Sequence, residues 1–262
     1  MVTGIAKDTR IVLIIEYEGT NYHGSQLQEN APTIQGEIEK ALQKLTGETI
    51  RIKAASRTDA GVHATGQVVS FRTGSSLPLR AFVDGLNYYL PHDVAVKEVF
   101  QTDSLFDVRR GAASREYKYY IHNSPTRSPI NRRFTCRVTG NLDIEAMNAA
   151  CQALVGTHDF SSFVTSTETA RSKRTVRKMY KAEVTREGEM IVLDMVASSF
   201  LPHQVRNTAG SLIRVGQGKI TVAEFTEMVE AKTPGLAGPT APADGLYLVR
   251  VNYPNRFNGD TL

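Results

Sequence analysis

Ser56-Arg57-Thr58-Asp59-Ala60-Gly61-Val62-His63-Ala64-Thr65-Gly66 lies between two strand-like segments, residues 50–55 and 67–72. Two such segments on either side of a polar, Gly-containing stretch predict a pair of strands joined by a loop. The loop carries one carboxylate, Asp59, two residues from Arg57, and no Leu, Ile or Phe. It is either a turn that bears charge or a working carboxylate kept ionised by a cation.

Outward from the loop, Ile11 to Tyr17 is a nearly continuous apolar run, which suits a strand buried on both faces. Ile34, Ile38, Ala41, Leu42 and Leu45 fall at helical spacing after Pro32 and predict a helix over 33–46. Leu79, Phe82, Val83, Leu86 and Leu90 mark a second helix, stopped by Pro91, and Val94, Val96 and Val99 an extended segment. The first half therefore reads β-α-β-β-α-β. The second half repeats that order without obvious similarity. Tyr117, Tyr119 and Ile121 alternate in a strand, and Ile144, Met147, Cys151 and Leu154 predict a helix from Asp143 to Gly156. Strands follow near 178–186 and 189–197, then a helix through Val205, Ala209, Leu212 and Ile213. Thr221 and Glu224 form a capping box for an extra helix, and 246–252 is a final strand. The expected fold class is α+β: two tandem ferredoxin-like (split βαβ) halves with mainly antiparallel sheets flanking a central cleft. The expected division is 1–108, carrying the Asp59 loop, and 109–262, completing the cleft and its basic surface.

Composition bounds the class. The chain has 262 residues, 41% apolar and 22% charged, ordinary for a globular protein and long enough for two domains. No apolar run approaches the ~20 residues of a membrane helix, and residues 1–10 lack a secretory stretch, so a cytoplasmic protein is expected. Cys136 and Cys151 form no CxxC and no Cys/His cluster, so two free thiols and no structural zinc are expected. A P-loop, a GxGxxG after a strand and metal-ligand spacing are all absent, and no cofactor is expected. Net charge is +4, unevenly spread. Arg109, Arg110, Arg115, Lys118, Arg127, Arg132, Arg133 and Arg137 face the single acid Glu116, and Arg171, Lys173, Arg174, Arg177, Lys178 and Lys181 face none. One such run is commonly a solvated face; two of them also suit a polyanion.

Several segments resemble one family, the TruA family of tRNA pseudouridine synthases, over nearly the whole chain. They are Tyr17-Glu18-Gly19-Thr20-Asn21-Tyr22-His23-Gly24-Ser25-Gln26-Leu27-Gln28 with Thr33-Ile34-Gln35; Ser56 to Ala64; Leu86-Asn87-Tyr88-Tyr89-Leu90-Pro91; Arg115-Glu116-Tyr117-Lys118-Tyr119; Phe200-Leu201-Pro202-His203-Gln204-Val205-Arg206-Asn207; and Gly245-Leu246-Tyr247-Leu248 with Tyr253-Pro254. One match would be weak; six in the correct order are specific. Ser25 departs from the pattern, since the family commonly has Trp there, which touches a local packing contact.

The resemblance implies a pseudouridine synthase fold and conversion of uridine to pseudouridine at positions 38–40 of the tRNA anticodon stem-loop, by a homodimer without cofactor or metal. It implies that Asp59 is the catalytic carboxylate and that Arg206, from the second half, is the cation that lowers its pKa. Tyr117 resembles the tyrosine that stacks on the base and helps remove the C5 proton. Arg57 resembles the residue that supports the flipped nucleotide, flipping being required because a stacked base cannot react in place. Arg171, Lys173, Arg174 and the 109–137 bases are expected to line the RNA path. By themselves Asp59 could start an Asp-Ala-Gly turn, Tyr117 could be a packed strand aromatic, and Arg206 could cap a helix or bind phosphate. His63 is expected to be structural. Two rivals are a non-catalytic RNA-binding or tRNA-folding protein using the same groove, and a metal-dependent RNA hydrolase. The intact Arg57, Asp59, Tyr117 and Arg206 set opposes the first. A carboxylate without neighbouring acids is a poor hard-cation site, which opposes the second.

Overall fold

The structure is a computed structural model that describes residues 9–165 and 174–254. The chain divides into two compact units, one comprising 1–113 with 248–262, the other 114–247. In this division the residues from Leu248 belong with the first unit.

In the first unit, β1 (Thr9–Tyr17) forms because its run of Ile and Leu is buried from both sides. Ile11, Leu13 and Ile15 are buried, and so is Val12 between them. It pairs antiparallel with β3 (His63–Thr73) and with β4 (Val94–Thr102). The register sets Ile11 opposite Phe71 and Leu13 opposite Val69. α1 (Ile34–Thr46) starts where Thr33 Oγ1 accepts from Gly36 N at 3.2 Å, and buries Ile34, Ile38, Ala41 and Leu42. α2 (Leu79–Tyr89) packs Phe82 against Phe71, ring centroids 5.8 Å apart. Asn87 ties α2 to β4 by accepting from Val96 N at 2.7 Å and donating to Val96 O at 2.9 Å.

The strand expected over 50–55 is reduced to β2 (Lys53–Ala54). The Glu39 carboxylate accepts from Ile52 N at 3.0 Å and from Arg51 Nη1 at 2.8 Å. The Ile52 N–H thus bonds to a helix side chain and not to the ladder, which β2 joins only at Lys53 and Ala54 of the pair with β3.

In the second unit the strand order is β5 (Ser114–Asn123), β9 (Met190–Ala197), β8 (Val176–Glu187), β7 (Gly156–Asp159), each neighbour antiparallel. The short β6 (Cys136–Val138) pairs parallel with β5 and has no counterpart in the sequence reading. α3 (Ile144–Gln152) begins at its Asp143 cap as expected but ends four residues short of Gly156. Gly156 has φ +117 and opens β7 opposite Met179, so backbone pairing takes the residue on which the helix was expected to end. α4 (Gln204–Gly216) and α5 (Val222–Glu230) follow, the latter with both bonds of the Thr221/Glu224 capping box formed. β10 (Leu246–Asn252) crosses the unit boundary, and its residues from Leu248 extend the first unit's order to β4-β1-β3-β10. The fold is α+β and mainly antiparallel.

Among the described residues no helix is long and apolar enough to cross a membrane. Likewise no group of three or more His, Cys, Asp or Glu is placed to hold a metal. Cys136 and Cys151 are free and buried, and burial pushes the Cys151 thiol up to about 12.

Gly210, on α4, permits the closest approach in the second unit. A Cβ there would lie 1.8 Å from Pro239 O, a backbone atom that cannot swing aside. Gly210→Ala is expected to destabilise the protein by about 2 kcal/mol or more. A lower urea midpoint with unchanged slope checks this, and an unchanged midpoint would show that the 238–241 segment gives way freely.

Candidate active site

The loop that carries Asp59 is held by the segment that follows β1. Thr58, between Arg57 and Asp59, is buried, while Arg57 is exposed and Asp59 half-buried. Thr58 N donates to Ser25 Oγ at 2.9 Å and Thr58 O accepts from Ser25 N at 3.0 Å. Thr58 Oγ1 and Tyr17 OH lie 2.8 Å apart, a hydrogen bond across 41 residues of sequence. Gly24 makes the approach possible: its φ is +95, and a Cβ would meet Thr58 O at 2.9 Å.

Beyond Asp59 the chain turns back, with Val62 N donating to Asp59 O at 3.2 Å and Gly61 N to Tyr22 O at 3.3 Å. His63 is 1% exposed and accepts at Nδ1 from Gly19 N at 3.1 Å. It is structural, as expected. Tyr22 is held in turn by Asp93: its hydroxyl donates to Asp93 Oδ1 at 2.5 Å, and burial, followed by that bond, pushes the phenol far above its usual range.

The second unit holds Tyr117 and Arg206. Tyr117 sits on the same face of β5 as Arg115 and Tyr119, as the alternation predicts, and is buried. Its ring meets the half-buried Phe200 edge-on, centroids 5.1 Å apart. Arg115 is also buried and donates from Nη1 to Ser198 O at 2.9 Å, which sets it apart from the exposed bases of its run.

Arg206 lies in the first turn of α4, whose N-cap His203 takes the uncommon positive φ of 60°. The guanidinium donates from Nε to Ala241 O at 2.7 Å, and Ala241 N donates to Arg206 O at 3.1 Å. Asn207 accepts from Thr240 Oγ1 at 2.5 Å, and Ser211 Oγ accepts from Gly238 N at 3.1 Å, so the 238–241 strap is tied to α4 along two turns. Burial pushes the Tyr119 phenol far up, the neighbouring Cys136 adds to this, and the Arg206 charge acts against both. Tyr119 is thus a neutral donor, to Pro242 O at 2.8 Å.

Of the remaining candidates, Arg174 is exposed, and Arg171 and Lys173 lie outside the described residues. Arg109, Arg110, Arg132 and Arg137 are exposed. The sequence reading missed the roles of Ser25, Tyr17, Thr58 and Phe200, all within segments it quoted. Ser25 was noted as a packing departure; the structure makes it a hydrogen-bonding partner of the catalytic-loop candidate.

A family model described as tRNA pseudouridine synthase matches residues 13–109 and 150–254. The chain is 46% identical over 244 residues to tRNA pseudouridine synthase A of Exiguobacterium sp. strain AT1b, covering 93% of this chain and 98% of that protein. It is 44% identical to the proteins of the same name from Geotalea uraniireducens and Geobacter sulfurreducens, covering 93% of this chain and 99% of each of them. The chain belongs to the tRNA pseudouridine synthase family. Its activity is that of an isomerase acting on uridine in tRNA, and no redox step is needed to exchange an N-glycosidic for a carbon–carbon bond.

Proposed function

We propose that the protein isomerises uridines at positions 38–40 of the anticodon stem-loop, in the cytoplasm and as a homodimer. Asp59 is the carboxylate that acts as nucleophile or base, and Arg206 the cation that keeps it ionised. Tyr117 stacks on the base and assists removal of the C5 proton. Arg57 supports the nucleotide once it has left the stack. Residues 1–108 supply the Asp59 loop and 109–262 the remainder of the active site with the basic RNA-binding surface. The observation that carries this reading is the anchoring of Thr58, which presents Arg57 and Asp59 at accessible positions of one rigid loop.

Mapping pseudouridine in tRNA from cells with and without the gene tests the positions. Loss confined to 38–40 is expected. Loss at any other position, or none, would overturn the assignment.

RNA binding is attributed to Arg171, Lys173, Arg174 and the bases between 109 and 137, through phosphates and A-form shape, because duplex RNA hides its base edges in a deep groove. Replacing exposed Arg132, Arg137 and Arg174 together by Ala should weaken tRNA binding. It should also lower the slope of log K against log salt by about 2 to 3, one released counterion for each lost phosphate contact. An unchanged slope would make these residues a solvated face.

A further inference from the structure

We propose that Ser25 and Tyr17 are positioning residues for the reaction, acting on Asp59 through Thr58; this rests on the assignment of Asp59 as the catalytic carboxylate. Thr58 N belongs to the peptide plane shared with Arg57, and Thr58 O to the plane shared with Asp59. Ser25 holds both planes at once, from Oγ at 2.9 Å and from its own N at 3.0 Å. With both planes held, the Cα of Asp59 is placed before any side-chain torsion is chosen. The third polar group of Thr58, its hydroxyl, is bonded to Tyr17 OH at 2.8 Å. Every hydrogen-bonding group of Thr58 therefore ends on one of two residues.

One of these residues stands on a strand and the other is tied to a helix start. Tyr17 closes β1 and is 3% exposed. Ser25 is 6% exposed and is fastened to the start of α1, where Gln35 N donates to Ser25 O at 3.1 Å and Ile34 N to Gly24 O at 3.4 Å. A strand end and a helix start thus converge on one threonine and aim its neighbour. A side chain that reacts must be held within a fraction of an ångström of its productive position, which loops achieve only when their backbone is tied down. Thr58 supplies that tie. Thr58 itself is buried, between the two loop residues assigned to the substrate, Arg57 and Asp59.

The experiment compares Ser25→Ala, Ser25→Thr and Tyr17→Phe with the wild type and with Asp59→Asn. Single-turnover release of the C5 hydrogen from labelled tRNA, tRNA binding and thermal melting are measured, all rates at a temperature where each protein is folded. Ser25→Ala and Tyr17→Phe are expected to slow the single turnover about 10- to 100-fold with unchanged tRNA affinity. Ser25→Thr, which keeps a hydroxyl on the same carbon, is expected to restore the rate. Should Ser25→Ala fail to fold, Tyr17→Phe decides, since it removes one oxygen and leaves the ring. Wild-type rates in the folded Ser25→Ala or Tyr17→Phe protein, while Asp59→Asn is inert, would overturn the positioning role alone. An active Asp59→Asn would overturn the assignment beneath it.

Discussion

Asp59→Asn is expected to abolish turnover, by about 10³-fold or more, while tRNA affinity stays at the wild-type level. The substitution is nearly isosteric and leaves the loop's anchor untouched: the bonds to Thr58 come from Ser25 and Tyr17, and the turn is closed by backbone groups of Asp59 and Val62. What it removes is the negative charge, so an amide in that place can neither attack nor accept a proton. Release of the C5 hydrogen from labelled uridine in tRNA measures the chemistry, and a binding titration measures the rest. Turnover within about tenfold of the wild type, 1.4 kcal/mol in barrier, would remove Asp59 from the mechanism. Restoration of a null strain by the Asp59→Asn protein would instead favour the RNA-folding rival.

Arg206→Ala should slow single-turnover chemistry about 10²-fold and change tRNA affinity little, the loss expected when one preorganised charge leaves an active site. The guanidinium is not a loose surface group. Its Nε is bonded to Ala241 O at 2.7 Å, which leaves the outer nitrogens in a defined direction. Arg206→Lys separates charge from geometry, because lysine keeps the charge but has no planar fork to hold against Ala241. Partial recovery is expected. Weakened binding with normal single-turnover chemistry would reassign Arg206 to phosphate contact. The Ala241 N–H bond to the backbone of residue 206 survives both substitutions, so the strap keeps one of its ties to α4.

Much of the framework is legible in the sequence. β1, α1, α2, β5 and β10 lie where apolar period and helix signals put them, since a strand buried on both faces and a helix with one apolar stripe write their environment into adjacent residues. The Thr33, Asp143 and Thr221 caps are local too, each side chain reaching a backbone N–H three residues on. The errors fall where a distant group intervenes. Ile52 bonds to Glu39 on a helix and leaves its strand, and Gly156 joins a ladder with Met179 when the helical pattern would have run up to it. The alternation placed Tyr117 on a packed strand face, whereas Arg57 was recognisable only as a motif residue and its exposure was not.

By itself the sequence determined most of the elements and their order, β6 and β7 excepted, together with the loop around Asp59 and the family to which its motifs belong, because each is encoded in residues close together in the chain. Only the tertiary structure decided that Thr58 hangs on Ser25 and Tyr17, that Arg206 is braced by Ala241, and that the chain from Leu248 returns to the first unit. Those contacts join residues 33 to 41 positions apart and more. At such separations a hydrogen bond depends on where whole strands and helices come to rest, which no local pattern records.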